Sequence, residues 1–294
     1  MHKIKRTLGF IFSHPLGKRR PFKSIFRFLL WQVQSSFSPS KFIAKPFVSP
    51  VKFYARKGLT GITGNIYTGL HEFIDMGFLL HFLREEDVFF DVGANVGSYS
   101  LLASGVCKAK SIAIEPIKKS FDILCSNIGL NNLQNKIQPI NKGAGSREEK
   151  LAFTSGQDTT NHVYVGDDND TVEADIITID SIAQAIVPVL IKIDVEGYEV
   201  AVVKGMIETL KSPTLKAIII ELNGGGFRYG FDENAVHDLL LAAQFKAYNY
   251  DPFKRSLILL ATYGSDNTIY CRDMDYVTGR LQNAAGIKIM GEVI

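Results

Sequence analysis

The stretch from Val88 to Ser100 constrains the fold most, because an apolar run leads through a glycine-rich turn into the start of a helix. Gly93 and Gly97 allow the backbone of that turn to pass close to a ligand. The amides at the start of the following helix can hydrogen-bond an anionic group, assisted by the helix dipole. This pattern predicts a nucleotide-like ligand across the carboxyl ends of parallel strands.

The next apolar run ends at Glu115 and Pro116, about twenty residues further on. A carboxylate there can accept hydrogen bonds from both ribose hydroxyls; the alternative is an ordinary charge at the start of a helix. The glycine spacing differs from the G-x-G-x-x-G of nicotinamide enzymes, and no Walker A lysine follows. Asp91 and Glu115 together fit an adenosylmethionine site better.

From residue 88 onward, short apolar runs alternate with helical patterns. Continuous apolar runs such as Ile218–Ile220 are typical of parallel strands that are covered on both faces. The alternation predicts an α/β fold with a mostly parallel seven-stranded sheet and helices on both faces. The predicted strands are Val88–Val92, Ser111–Ile114, Lys136–Ile140, Val189–Ile193, Ala217–Leu222, Phe245–Tyr250 and Thr268–Arg272.

Basic and acidic residues are distributed unevenly along the chain. Thirteen Lys or Arg and no acidic residue precede Glu72, whereas acidic residues outnumber basic ones afterwards. We expect a basic N-terminal segment at residues 1–57 and one catalytic domain at residues 58–294. Residues 151–186 interrupt the strand–helix alternation and predict an insertion into that domain.

The N-terminal segment contains one amphipathic helical pattern. Its apolar positions recur at helical spacing, and they are Phe22, Ile25, Phe26, Leu29 and Leu30. Two interpretations stay open: this face packs on the catalytic domain, or residues 1–34 contact an anionic membrane surface peripherally.

Three features of the sequence indicate the cellular compartment of the protein. The three cysteines are widely spaced and form no zinc-like pairs, no apolar run is long enough to span a membrane, and no signal-peptide layout is present. We therefore expect a cytoplasmic protein, with peripheral contact at the inner membrane face as an open alternative.

A third motif lies where the fourth predicted strand ends, in Asp194-Val-Glu196-Gly197. Glu221 ends the neighbouring strand, so these carboxylates are expected to meet and to raise one another's pKa. Asp194 is expected to contact the ligand, the acceptor or a divalent cation. Glu199 is interpreted as a helix N-terminal charge.

With these motifs the chain resembles the FkbM family of methyltransferases. The resemblance spans roughly residues 58–273. Its motifs are Asp-Val-Gly-Ala-Asn-Val-Gly at 91–97, Ile-Glu-Pro at 114–116 and Ile-Lys-Ile-Asp-Val-Glu-Gly-Tyr-Glu at 191–199, with His71-Glu72-Phe73, Asn161-His162 and Tyr250-Asp-Pro-Phe253 in support. It implies a Rossmann-like class I methyltransferase fold and methylation of a hydroxyl oxygen on a sugar, glycan precursor or related small molecule.

The resemblance also implies S-adenosyl-L-methionine as the methyl donor, with a divalent cation left open. The expected donor-binding residues are Asp91, Gly93, Asn95, Gly97, Ser98, Glu115 and Asn141. Asp194, Glu196 and His162 are the expected catalytic residues, and His162 enters through the resemblance alone.

Two other enzyme classes account for parts of the sequence. A nucleic-acid methyltransferase would use the basic segment for docking, but the segment contains no recognisable RNA module, so no nucleic-acid partner is favoured. A nicotinamide-dependent oxidoreductase would need the glycine spacing that the turn lacks.

Overall fold

The computed structural model describes residues 2–37, 39–154, 161–166 and 171–294. Among them, no helix is both long and apolar enough to cross a membrane. The strands of the main sheet are β3 (Val88–Val92), β4 (Lys110–Ile114), β5 (Ile137–Ile140), β9 (Leu190–Ile193), β10 (Ala217–Glu221), β11 (Lys246–Asp251), β12 (Ser256–Leu259) and β13 (Asn267–Cys271).

The main sheet has the order β12-β11-β13-β10-β9-β3-β4-β5. The five strands β10, β9, β3, β4 and β5, adjacent in that order, pair in parallel. In contrast, β13 lies antiparallel to both β10 and β11. The carboxyl ends of β3, β4, β9 and β10 therefore meet at one edge of the sheet, where the three sequence motifs were placed.

The sheet has eight strands, and the prediction of seven was wrong in number though correct in class. All seven predicted strands are present, and β12 adds an eighth by pairing antiparallel with β11 at the edge. Most of its residues are exposed, as Ile258 and Leu259 show. An edge strand of this kind lacks the buried-exposed alternation by which a strand is recognised in sequence.

Helices cover both faces of the sheet. They are α4 (Thr60–Thr68), α5 (Phe73–Phe82), α6 (Ser98–Gly105), α7 (Lys118–Leu130), α8 (Ile179–Ala183), α9 (Glu199–Lys204), α10 (Ile207–Lys211), α11 (Asn234–Ala242) and α12 (Met274–Gln282), with a short 3₁₀ helix at Gly225–Tyr229. Successive strand residues enter different cores: Phe89 packs in the cluster that includes α5 and α6, and Phe90 packs in the cluster that includes α9 and α11.

The predicted insertion, residues 151–186, contributes to a separate small sheet that begins before it in the chain. Its strands are β6 (Gly143–Ala144), β7 (Glu149–Thr154) and β8 (Thr171–Ile177), in the order β6-β8-β7. Phe153, Val163 and Ile176 form a third apolar cluster beside Ile117. The insertion thereby forms a wall next to the end of β4.

The N-terminal residues form α1 (His2–Ser13), α2 (Pro15–Arg19), α3 (Pro21–Phe37), β1 (Ile43–Pro46) and β2 (Lys52–Ala55), and a two-stranded hairpin of β14 (Lys288–Ile289) and β15 (Glu292–Val293) ends the chain. Ile11, Leu16, Phe28 and Trp31 belong to the same core cluster as the helices of one sheet face.

The interpretation that the predicted apolar face of the N-terminal helix packs on the domain is wrong. The buried residues of α3 are Ser24, Phe28, Trp31 and Ser35. Phe28 packs edge-on against Tyr67 of α4, with ring centroids 5.3 Å apart. Among the predicted positions, Phe22, Phe26, Leu29 and Leu30 are exposed. Two large aromatic side chains on the opposite face decide the packing.

Candidate functional site

A cavity of about 930 Å³ opens at the carboxyl ends of β3, β4, β9 and β10. Its wall includes the glycine-rich turn, Glu115, Asp194, Glu196 and Glu221. Residues of α1, α3 and α4 and of the insertion complete the wall. The cavity lies where doubly wound folds bind ligands, at the carboxyl ends of parallel strands.

Gly93 is required by a contact within the protein. Its φ is +81°, and a Cβ atom there would lie 1.8 Å from the backbone oxygen of Asp194. Gly97 has φ +91°, and a Cβ would lie 2.5 Å from the side chain of Leu124. Close packing of the turn against the β9 loop and α7 therefore requires both glycines. Gly93 also lines the cavity, and its expected close approach to a ligand stays a prediction.

Asp91 fixes the turn to the helix that follows it. Its buried carboxylate accepts hydrogen bonds from the Ser100 backbone N–H at 3.0 Å and from the Ser100 hydroxyl at 2.6 Å. Burial raises the pKa of Asp91. Ser98 and Asn95 line the cavity beside it, whereas Gly97 is outside the cavity wall.

Glu115 is buried, and each of its carboxylate oxygens is oriented by a backbone amide. Asn95 N–H donates to Oε2 and Ile117 N–H donates to Oε1, both at 2.9 Å. Burial raises the pKa of Glu115 to about 7 despite these bonds. The remaining lone pairs of a carboxylate that lines the cavity suit the two ribose hydroxyls of an adenosyl group.

Asn141 forms hydrogen bonds with the backbone at Glu115. Its side-chain amide donates to the carbonyl oxygens of Glu115 at 2.9 Å and Pro116 at 3.0 Å. It is outside the wall of the main cavity. The structure thus places Asn141 where it holds Glu115 in position, and its expected contact with the donor stays a prediction.

Lys192 lies near a group of carboxyls that we call the acidic cluster: Asp194, Glu196, Glu199 and Glu221. Its Nζ is 2.7 Å from Asp194 Oδ2 and 4.7 Å from the centroid of the Tyr99 ring, and the side chain is almost fully buried. Burial alone would lower the pKa of Lys192, but the charges of Asp194, Glu72 and Asp91 together raise it above its usual range. The ammonium group therefore stays protonated and neutralises part of the cluster.

The other carboxyls of the cluster bind protons more tightly than free carboxyls. Burial, with the charge of Asp194, raises the pKa of Glu196 to about 7 and that of Glu221 to about 8. Burial also raises the pKa of Glu199 to about 7, although its Oε1 accepts N–H bonds from Val195 and Gly197. Glu196 and Glu221 line the cavity, so proton exchange near neutral pH is available there.

Carboxylate oxygens of Asp194, Glu199 and Glu221 lie within 4.8 Å of one another. Such a group is able to hold a divalent cation. However, Lys192 already pairs with Asp194, and one oxygen of Glu199 is occupied by two amides. Two of the three potential ligands are thus already engaged within the protein.

Glu72 and His71 lie in the wall that α5 and the preceding loop form. The Tyr99 hydroxyl donates to Glu72 Oε2. The His71 ring stacks on Phe10 with centroids 4.9 Å apart, and burial lowers the pKa of His71. The N-terminal helix α1 therefore contacts the wall directly.

His162 lies in the insertion, where its backbone N–H donates to Thr154 Oγ1 at 3.1 Å. The cavity is lined by its neighbours Asn161 and Val163. The structure therefore brings Asp194 and Glu196 together at the cavity but does not place His162 in its wall. Residues 155–160 of the same loop lie outside the described part.

Lys192 and Tyr99 received no role in the sequence analysis. Lys192 is a single charge inside the apolar run Leu190–Ile193, and a lysine in a buried parallel strand needs a carboxylate partner. The lysine within this apolar run therefore indicates, from sequence alone, a functional or paired residue. Tyr99 has no comparable signal, because an aromatic residue in a helix is ordinarily core.

Residues 91–251, more than half of the chain, match the family model described as the Methyltransferase FkbM domain. The hexuronic acid methyltransferase AglP of Haloferax volcanii is 27% identical over 208 residues, covering 70% of this chain and 75% of that protein.

Solved structures of similar fold include a methyltransferase FkbM from Methylobacillus flagellatus, with 17% identity and a TM-score of 0.44. The match covers 72% of this chain, which spans about half of that solved chain (52%). A tRNA m1G37 methyltransferase from M. jannaschii matches with 13% identity and a TM-score of 0.40, covering 78% of this chain and 56% of that one.

Proposed function

Because the chain belongs to the FkbM methyltransferase family, with S-adenosylmethionine as methyl donor, we propose that it methylates a hydroxyl group of a sugar, glycan precursor or related small molecule. One observation carries the proposal: Glu115, which suits the adenosyl ribose, and the cluster of Asp194, Glu196 and Glu221 line the same cavity. The family match favours neither a nucleic-acid methyltransferase nor a nicotinamide oxidoreductase.

S-adenosylmethionine supplies a methyl group that its sulfonium makes electrophilic. The protein's own task is to bind the acceptor oxygen in line with that methyl group and to take up the hydroxyl proton. Positioning of this kind contributes about 7–11 kcal/mol to lowering a barrier. We assign hydrogen bonding of the acceptor hydroxyl to Asp194 and uptake of its proton to Glu196.

The raised pKa of Glu196, about 7, suits this assignment. A carboxyl of ordinary pKa is a weak base, whereas one near neutral pH accepts a proton more readily. Lys192 orients the Asp194 carboxylate through an ion pair at 2.7 Å. A base role for His162 stays a prediction. The contacts that already engage Asp194 and Glu199 argue against a divalent cation at Asp194, Glu199 and Glu221.

A saccharide acceptor is supported by two facts. The similar AglP is named for hexuronic acid, and polyols suit a wall of carboxylates, which accept hydroxyl hydrogen bonds. The wall also includes the cations Arg6 and Lys57, which fit a sugar that carries its own carboxylate.

Label transfer from methyl-labelled donor tests this proposal. Neutral oligosaccharides and glucuronic-acid-containing oligosaccharides are incubated with the protein, and the products are then treated with mild alkali. A methyl ether on a hydroxyl survives alkali, whereas a methyl ester on a carboxyl is hydrolysed to methanol. Alkali-stable label in a saccharide supports hydroxyl transfer. Alkali-labile label would contradict the hydroxyl assignment, and label only in RNA would contradict the saccharide class.

We also propose a cytoplasmic location, with peripheral contact between residues 1–34 and an anionic membrane. All three cysteines are free thiols, which suits a reducing compartment. The contact is supported by the exposed apolar side chains of α3 and by the eight Lys or Arg within residues 1–34, a range that contains no acidic residue.

A further inference from the structure

One face of α3 carries a continuous row of exposed apolar side chains. We call this row the α3 stripe; it consists of Phe22, Phe26, Leu29, Leu30, Val33 and Phe37. The spacing places all six residues on one side of the helix. Phe22 and Phe37 are 88% and 85% exposed. Soluble surfaces rarely expose a contiguous apolar patch without a partner for it.

The stripe is exposed although α3 is firmly attached. The opposite face, with Phe28 and Trp31, is buried in the core. On the flank, Lys23 Nζ donates to the Met290 carbonyl at 3.2 Å, and Arg27 contacts the Met290 sulfur. The helix is therefore fixed with its apolar row outward, and turning it inward would expose the buried aromatics instead.

The helices that pack against α3 carry positive charge. Lys5 and Lys18 are exposed on α1 and α2. Arg19 and Arg20 pair with Glu292 but keep about half of their side chains exposed, at 50% and 49%. A second copy of this chain is a poor occupant, because like charges would face each other across the contact.

We infer that the α3 stripe and these cations dock on an anionic lipid bilayer. The aromatic and aliphatic side chains enter the boundary between headgroups and acyl chains. Each exposed Lys or Arg near the anionic headgroups strengthens binding by about fivefold. Charge complementarity selects this occupant over an uncharged membrane or an apolar protein groove.

The same helices form part of the cavity wall. Arg6 and Phe10 of α1 and Trp31, Gln32 and Ser35 of α3 line the cavity. Gln32 lies in that wall, and the next residue, Val33, belongs to the stripe. Docking therefore brings the cavity to within about 10 Å of the lipid, the thickness of one helix.

This proximity defines the acceptor class more closely, if the proposed saccharide methylation is correct. A free sugar gains nothing from a cavity held at the membrane, whereas a saccharide carried on a membrane lipid is concentrated there. We assign the acceptor to lipid-linked saccharides.

Vesicle co-sedimentation of the full chain tests the docking. Wild-type protein should bind vesicles of phosphatidylcholine with phosphatidylglycerol, and should not bind phosphatidylcholine alone. Phe22→Ser/Phe26→Ser should weaken binding by about tenfold or more. Phe227→Ser is the matched control, because Phe227 is also 88% exposed but lies in the 3₁₀ helix; it should bind like wild type.

Three results would overturn the docking: no sedimentation with anionic vesicles at low salt, equal loss in Phe227→Ser, or no loss in the double variant. Smaller oligomers of the double variant together with absent vesicle binding would identify the stripe as a protein interface instead. Thermal unfolding of the double variant, expected near that of wild type, shows that the fold is retained.

The acceptor class has a separate test. Methyl-labelled donor is supplied with vesicles that contain a polyprenyl-diphosphate-linked saccharide, or with the same saccharide after mild acid has released it. Label should appear at least tenfold faster in the lipid-linked form, and this advantage should fall in Phe22→Ser/Phe26→Ser. Equal labelling overturns the lipid-linked assignment alone. No label in either form, while S-adenosylhomocysteine still binds, counts against the proposed saccharide function.

Discussion

The Lys192 ammonium group lies 2.7 Å from the Asp194 carboxylate; Lys192 is in β9, and Asp194 directly follows the last residue of that strand. Because Lys192 is buried, its charge is poorly screened by water and acts strongly on the carboxylates around it. The pair gives the cavity one fixed positive charge and one oriented carboxylate. The chemistry of the cluster depends on this pair.

Asp194→Asn should lower kcat by about 100-fold or more, because an amide accepts the acceptor's hydrogen bond without a negative charge. The melting temperature should also fall, because the asparagine leaves the buried Lys192 ammonium without its paired carboxylate, so kcat is compared at a temperature where the variant is fully folded. Steady-state kinetics and thermal unfolding check the two parts. Asp275→Asn, an exposed position on α12, is the control. Near-normal turnover in Asp194→Asn would remove the residue from the mechanism.

Lys192→Met should destabilise the protein by about 3–5 kcal/mol, because it leaves buried carboxylates without their counter-charge. Chemical denaturation measures this loss. Lys216→Met, which breaks the more exposed pair with Asp273, should cost far less. A similar loss in both variants would show that the buried pair has no special weight.

Treatment with a chelator tests whether methyl transfer requires a divalent cation. Since Lys192 occupies Asp194, we expect EDTA to leave the methyl transfer rate unchanged within about twofold. Activity that EDTA abolishes and Mg²⁺ restores would instead assign a cation to Asp194, Glu199 and Glu221.

The pH profile should report the raised pKa values of the cluster. Glu196 and Glu221, with pKa values of about 7 and about 8, are ionised only above those values, so kcat/KM should rise as pH increases from 6 to about 8.5. Glu221→Gln removes the higher step and should shift the midpoint toward about 7. A flat profile over this range would exclude these carboxyls as bases.

Donor binding should depend on Glu115. Glu115→Ala should weaken S-adenosylhomocysteine binding by about tenfold or more, because it removes hydrogen bonds to a charged group. In wild type, affinity should decrease as pH falls below about 7, where Glu115 becomes protonated. Calorimetry measures both effects, with exposed Glu85→Ala as control. Unchanged affinity in Glu115→Ala would contradict the ribose assignment.

Gly93→Ala should act differently from Glu115→Ala. The positive φ and the contact with the Asp194 carbonyl should cost about 2 kcal/mol or more of folding stability. Thermal unfolding and calorimetry together should show a lower melting temperature alongside weaker binding. Weaker binding at an unchanged melting temperature would mean that Gly93 serves the ligand alone.

Local sequence patterns predicted the elements that position the site. The glycine turn, Glu115 and Asp194 lie where apolar runs end, and parallel strands bring such ends together. The same patterns do not determine which partner an element contacts. The apolar periodicity of α3 identified an amphipathic helix, but Phe28 and Trp31, outside the predicted face, pack inward.

The roles of individual site residues were harder to predict because they depend on contacts distant in sequence. Asn141 reaches the backbone of Glu115 and Pro116, and Gly93 meets the Asp194 carbonyl. Neither contact leaves a trace in the residues around it. A buried lysine such as Lys192 is different, since its cost of burial alone requires a nearby partner.

The contact between Gly93 and Asp194 also limits how a chain of this kind can acquire new acceptors. The donor turn and the end of β9 are wedged together, so a mutation that moves one must also move the other. The distance between the donor methyl group and the reacting oxygen should therefore be conserved during evolution, because neither part can move alone. New specificity has to arise in the outer parts of the cavity, in α1, α3, α4 and the insertion, where side chains can change without disturbing that wedge.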